Sequence, residues 1–457
     1  MKKFIILLIA VSTSVCQAQN EAEHIKTIDQ FLTEEYPKNE PGATVLVAKK
    51  GKVIFEKAYG LASLKPKRKL KTDMVFQIGS MSKQFVSAAI LQLIEQGKMA
   101  LTDTIQKYVP YYPTKAYPIT IHHLLSQTSG IPEYFDVDES EFHLLAKEHT
   151  PQQLINYYKD EPLIFRPGEK WSYSNSNYPL LGAALEKTTG LSLKEYLKIY
   201  IFEPLGMTST GLWYNETIKK KRIPVGYNSK NGILFPGPEI VGSALYAPGG
   251  IVSTINDLFI WNRALVNKTV ISDFVVQQLT SEKTIASGEG TGYGYGFFLK
   301  NLQGSPTIQH GGNLFGFTTY GLYLPHEDIF VCILANTKFD RTEELANYVA
   351  SILLNKPIEI FSKKEVSKAL LKDYIGIYEL QSEEISRTFQ IKLFDNTLIL
   401  SDPKAPEHDA TLTPSDKDVF ILKAVSASFK FLRNEDNQTM GFTVNQEGKI
   451  FEFKKIK

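Results

Sequence analysis

Ser80-Met81-Ser82-Lys83 places a hydroxyl and an amine three residues apart at the head of an apolar segment. A serine hydroxyl is a poor nucleophile at neutral pH unless a base stands beside it. Residues three apart on a helix share a face, so a helix starting at Ser80 brings the Lys83 amine next to the Ser80 hydroxyl. Burial disfavours an ammonium and depresses a lysine pKa, which lets a neutral Lys83 take the serine proton. The helix N-terminus adds backbone N–H groups and partial positive charge, both suited to a developing oxyanion. This spacing suits acyl transfer through Ser80; the alternative is a plain buried helix start.

The surrounding elements support that position. Phe85, Val86, Ala88, Ala89, Ile90, Leu91, Leu93 and Ile94 are apolar nearly all round, as in a core helix, and Gly97 follows as a C-cap. A second match to Ser-x-x-Lys, Ser401-Asp402-Pro403-Lys404, contains proline and lies among polar residues between strand-like runs. It cannot form the first turn of a buried helix and is read as chance. Tyr173-Ser174-Asn175 follows the turn at Pro167-Gly168 and precedes a helical run, Leu180 to Leu185. A phenol near a lysine can relay protons and an amide can orient both; alternatively, the tripeptide satisfies its own loop backbone. His310-Gly311-Gly312 ends the strand-like run Pro306 to Gln309. Its glycines suggest a close approach of substrate to backbone, and the alternative is a kinked strand end with a solvent-facing histidine.

The order Ser-x-x-Lys, Tyr-x-Asn, His-x-Gly resembles the serine β-lactamase and penicillin-binding-protein-like family, in its class C branch with esterase and D-aminopeptidase relatives. Further stretches that resemble it are Glu95 to Asp103, His123 to Ile131 and Ala247 to Thr254. The resemblance covers about residues 25 to 355. It implies an α/β fold: an antiparallel sheet flanked by helices, with a helical subdomain and the site between them. It also implies that Ser80 is the acylated nucleophile, Lys83 and Tyr173 the general-base pair, and Asn175 the orienting amide. His310, Gly311 and Gly312 would orient substrate, and the backbone N–H groups of Ser80 and Asn313 would form the oxyanion hole. Whether Lys83 or Tyr173 takes the first proton is open. The family's Lys-Thr-Gly or Lys-Ser-Gly is absent; His310 in place of a permanent cation leans toward esters or small amides. If His310 faces a substrate carboxylate, lowering the pH toward 6 strengthens its binding.

Composition and termini point to an exported enzyme. Met1-Lys2-Lys3, the apolar run from Phe4 to Val11, and Cys16-Gln17-Ala18 read as a signal peptide over residues 1–18, cleaved after Ala18. The run is too short to span a membrane, and Val15 before Cys16 disfavours lipidation. The expected destination is the periplasm or the medium. Without Lys2 and Lys3, the 51 basic residues fall to 49, matching the 49 acidic ones. That balance gives no electrostatic reason to bind nucleic acid or membrane. Cys332, in the apolar run Ile329 to Leu334, reads as a core residue.

At 457 residues the chain predicts two domains, 25–355 and 365–457. Ala43–Ala48 with Val53–Tyr59, and Phe317–Leu324 with Ile329–Ala335, read as hairpins. Asp340 and Glu343 read as a capping box for a helix through Leu354. Beyond Lys356-Pro357, the alternating Phe389 to Leu393, Phe429 to Phe431 and Phe451 to Phe453 predict a small antiparallel β-barrel or sandwich. It resembles the lipocalin-like domain appended to this family.

No Gly-x-Ser-x-Gly elbow and no His-Glu-x-x-His occurs. His122-His123 is the best metal candidate, but adjacent side chains diverge. Gly292-Tyr293-Gly294-Tyr295-Gly296 reads as an aromatic loop at the pocket mouth or a packed strand. The reading is a serine hydrolase that needs no cofactor or metal, with a small-molecule ester, amide or peptide as substrate. The alternatives are a class C-like β-lactamase or D-alanyl-D-alanine carboxypeptidase and, in another class, a non-turnover binding protein.

Overall fold

The computed structural model describes residues 20–134, 146–212, 222–230, 233–238, 240–338, 341–358, 366–381, 387–394, 397–403, 405–422, 427–446 and 449–457. Residues 1–18, among them Cys16, lie outside them, as does Asp340.

Six antiparallel strands make the main sheet: β1 (Ala43–Lys49), β2 (Lys52–Ala58), β3 (Phe298–Leu302), β4 (Ser305–Leu314), β5 (Phe317–Leu324) and β6 (Ile329–Ala335), in the spatial order β3-β4-β5-β6-β1-β2. β6 is buried at every position and β1 at all but Lys49. Burial of successive residues, which point to opposite faces, means that both faces of the central strands are covered. β4 carries on through His310, Gly311 and Gly312 to Leu314 instead of ending at the histidine.

A short 3₁₀ turn, Gly79–Met81, leads into helix α1 (Ser82–Glu95). The helix therefore begins two residues later than its sequence suggests, and Ser80 sits on the turn before it. α1 buries every residue from Ser82 to Leu91, as its all-round apolar composition requires. Around it lie α2 (Ile121–Leu125), α3 (Asn177–Thr189), α4 (Gly242–Gly249), α5 (Ile255–Asn267) and α6 (Asp273–Thr280). α7 (Thr342–Leu353) packs on β5 and β6. Its N-cap is Arg341, without a side-chain cap, and Glu343 pairs with Lys300 at 2.9 Å in place of the expected capping box.

The chain divides into two units. The first holds residues up to Asp29, Tyr36–Tyr227 and Pro236–Ile358; the second holds Gln30–Glu35, Asn228–Phe235 and Glu359–Lys457. In the second, β7 (Gly376–Leu380), β8 (Thr388–Phe394), β9 (Thr397–Asp402), β10 (Ala405–Asp416), β11 (Val419–Leu422), β12 (Ala427–Arg433), β13 (Thr439–Gln446) and β14 (Lys449–Lys455) form a closed antiparallel barrel. Pairing of Tyr378 with Lys455 closes it. An eight-stranded barrel is just wide enough for side chains to fill. Tyr374, Tyr378, Phe420, Phe431, Phe442 and Phe453 are buried in its core cluster. Ser401 lies on β9 and accepts a hydrogen bond from Lys392 at 2.8 Å.

Candidate active site

The Lys83 side chain is fully buried, while Ser80, one turn earlier, is partly open. Lys83 Nζ lies 3.1 Å from Ser80 Oγ, 2.6 Å from Asn175 Oδ1 and 3.0 Å from the Pro248 carbonyl oxygen. Loss of hydration is the main effect on this amine. Burial lowers its pKa from 10.5 to about 7, against an opposing pull from Glu133. A neutral amine has two N–H bonds and one lone pair. Asn175 Oδ1 and the Pro248 carbonyl can only accept, so they take the two N–H bonds. The lone pair is left facing the Ser80 hydroxyl.

Glu133 fixes the orientation of that amide. Its Oε2 accepts from the Asn175 backbone N–H at 2.7 Å and from Nδ2 at 3.0 Å. With Nδ2 committed to a carboxylate, Oδ1 must face Lys83. Gln127 supports the same loop, its Oε1 accepting from the Ser174 N–H at 3.0 Å. The Pro248 carbonyl arrives through a kink in α4 at Tyr246, whose backbone adopts φ +37° and ψ −132°. Such a conformation is strained for a bulky residue. The Tyr246 hydroxyl donates to Glu186 at 2.8 Å, and the Tyr246 carbonyl accepts from the Gly250 N–H at 2.8 Å; both help to hold it.

Tyr173 stands over Lys83, with Nζ 4.9 Å from the ring centre; the Tyr178 ring is 5.1 Å away on another side. The Tyr173 hydroxyl is buried and makes no hydrogen bond of ordinary geometry among the described residues. Burial pushes its pKa well above 10, and the nearby Ser80 hydroxyl offsets this only in part. The resting phenol is therefore neutral. Its ring stacks on Phe298 at 6.2 Å and meets Tyr293, from the glycine-rich loop, edge-on at 6.4 Å.

His310 corrects its sequence reading. It is buried, and it packs against Phe298, Tyr173 and Tyr293. Its Nδ1 lies 2.6 Å from the Gly311 carbonyl, which can only accept, so Nδ1 carries the proton and Nε2 faces the Tyr293 hydroxyl at 3.5 Å. Burial first, then the Lys83 charge, lowers its pKa from 6.5 to about 3. His310 stays neutral at pH 6 and supplies no cation to a carboxylate. The expected gain in carboxylate binding on acidification is withdrawn.

Gly312 is bare for a reason within the protein. A Cβ there would lie 2.0 Å from the Ile78 carbonyl oxygen, so its bareness admits the protein's own backbone. Thr319 Oγ1 donates to that carbonyl at 3.0 Å. Gly79, at φ +52°, turns its Cα toward Gly312 and the Asn313 N–H, where a Cβ would lie 3.2 Å from each. The two segments carrying the expected oxyanion donors, Ser80 N–H and Asn313 N–H, are thereby locked backbone to backbone. Gly311 is partly open beside Tyr320.

The histidine pair is occupied elsewhere. His122 Nδ1 lies 2.7 Å from the Tyr295 hydroxyl, and His123 Nδ1 accepts the Thr120 N–H in the capping box of α2. Sequence reasoning missed Glu133 and Thr319. Gln127 and Pro248 stood out only within stretches resembling the family, His123 to Ile131 and Ala247 to Thr254.

The β-lactamase family profile matches residues 26–354. A penicillin-binding protein of Bacillus subtilis is 30% identical over 444 residues, covering 92% of this chain and 95% of its own. Among solved structures, the octameric penicillin-binding protein homologue from Pyrococcus abyssi superposes with a TM-score of 0.67 at 25% identity, over 94% of this chain and 99% of that one. The D-amino acid amidase of Ochrobactrum anthropi SV3 shares the fold at a TM-score of 0.63 and 21% identity, over 73% of this chain and 99% of that one.

Proposed function

This chain belongs to the β-lactamase family of serine hydrolases, and on that premise we propose that it hydrolyses esters or small amides and peptides through an acyl-enzyme on Ser80. One observation carries the proposal: the buried Lys83 Nζ lies 2.6 Å from Asn175 Oδ1, 3.0 Å from the Pro248 carbonyl oxygen and 3.1 Å from Ser80 Oγ, so that once neutral it can give its two N–H bonds to the first two and turn its lone pair to the serine. A pKa near 7 suits a general base working at neutral pH.

In acylation, the Ser80 proton passes to Lys83 as Oγ attacks the substrate carbonyl carbon. The N–H groups of Ser80 and Asn313 receive the oxyanion. Collapse breaks the bond to the leaving group, which takes the proton from Lys83 by way of the Tyr173 phenol. Water then attacks the acyl carbon, its proton returns along the same route, and Ser80 Oγ is released. The high pKa of Tyr173 favours relay over first base.

A neutral, buried His310 supports substrates without a carboxylate at that position. The rival substrates are a D-alanyl peptide and a β-lactam, the latter favoured by similarity to the penicillin-binding protein of Bacillus. Export is part of the same proposal, supported by the basic, apolar and small-residue order of residues 1–18. Fluorophosphonate labelling with intact-mass detection tests the nucleophile. Turnover of p-nitrophenyl esters, D-alanyl p-nitroanilide and nitrocefin sorts the substrates. Labelling of Ser80→Ala equal to wild type would refute the assignment, and a kcat/KM for nitrocefin above that for the esters would favour the rival.

A further inference from the structure

A cavity of about 300 Å³ lies along the same sheet face as the catalytic residues but contains none of them. Its walls are their neighbours. Met81 follows Ser80, Gln84 follows Lys83, Phe297 precedes Phe298, and Ile308 is two residues from His310 on β4. The size is at the lower end for a small-molecule site.

Three polar oxygens on its wall already have partners. Gln84 Oε1 accepts from Trp261 Nε1 at 2.6 Å, Asn262 Oδ1 accepts from Arg263 at 2.6 Å, and Thr280 donates to the Val276 carbonyl at 2.8 Å. An occupant therefore meets mostly apolar surface. Lys268 is the one charged residue on the lining. Its side chain is 51% exposed and pairs with an equally open Asp273. An exposed ion pair of this kind is weak and exchangeable, so the ammonium can serve an anionic head group.

We propose that this cavity is a second binding site, distinct from the catalytic cleft, for a medium-chain fatty carboxylate. The alkyl chain fills the cavity and the carboxylate pairs with Lys268. Occupancy alters the acylation rate of Ser80, because Met81 and Gln84 are shared between the cavity wall and the nucleophile's own turn and helix. A close-packed interior transmits such a displacement.

The test is calorimetric titration of decanoate, below its micelle concentration, into the full chain. One site per chain is expected, and it should persist in Ser80→Ala. Val276→Phe, at a partly open wall position, should weaken binding by at least about tenfold, and Lys268→Glu by about threefold, with decanol binding unchanged by Lys268→Glu. Saturating decanoate should change the rate of Ser80 acylation by an aryl ester at least about twofold in wild type and not in Val276→Phe. Melting curves show whether each variant folds; if Val276→Phe does not, Lys268→Glu decides. Absence of binding, displacement of decanoate by acylation of Ser80, or binding indifferent to both substitutions would overturn the site. Binding without any change in acylation rate would overturn the coupling.

Discussion

The carbonyl oxygen of Ile78 lies 2.0 Å from where Gly312 would carry a Cβ. One bare α-carbon thus sets how closely the strand bearing Asn313 approaches the turn bearing Ser80. Gly312→Ala must push these backbones apart and misplace one oxyanion donor. Loss of a single such donor lowers kcat by about 10²–10³. The expected variant folds with a lowered melting temperature and loses activity on that scale. Steady-state kinetics on an aryl ester, beside a melting curve, check it; near-normal kcat would detach Asn313 from the mechanism.

Glu133 acts on the nucleophile at two removes. It holds the Asn175 amide, and its charge raises the Lys83 pKa. Glu133→Gln should lower kcat about tenfold by freeing the amide. It should also move the rising limb of the acylation profile to lower pH, because the charge that favoured the ammonium is gone. An unshifted limb would show that Glu133 acts through geometry alone.

Lys83 is also a liability for stability. Its folded pKa is about 7 against an ordinary 10.5. Below pH 7 it is protonated in both states, and the folded protein bears the full cost of burying the ammonium. Between pH 7 and 10.5 the unfolded chain holds the proton and the folded chain does not, so stability rises with pH. Lys83→Met should therefore melt at a higher temperature than wild type at pH 6, with the gain shrinking by pH 9. The scale is a few kcal/mol, at about 1.4 per pKa unit. A lower melting temperature at pH 6 would mean that the hydrogen bonds of Lys83 outweigh its desolvation.

What was legible in the sequence followed the reach of each signal. Local periodicity located both hairpins, including β5 with β6, and the barrel strands after Lys356. A helical spacing of three paired Ser80 with Lys83. The remainder depended on contacts that residue type does not announce. Pro248 contributes a carbonyl, which every residue has, delivered by strain at Tyr246. Glu133 is one of many acids and is singled out only by the fold that brings it to Asn175. The glycines after His310 left a solvent-facing side chain open as the alternative reading, yet β4 runs straight through them and buries the ring.

With a pKa near 3, His310 stays neutral from pH 6 to pH 8. The affinity of a carboxylate-bearing inhibitor, corrected for titration of Lys83, should be flat across that range. A rise of more than about threefold on lowering the pH to 6 would show a charged imidazole facing the ligand.

The central claim is that neutral Lys83 deprotonates Ser80, and the burst rate of acylation by an activated ester against pH tests it most directly. Wild type should show one rising limb, half-maximal near pH 7, and a plateau above it. Lys83→Ala should be at least about 100-fold slower at the plateau and lack that limb. A Lys83→Ala enzyme that acylates Ser80 at the wild-type rate with the same limb would contradict the account.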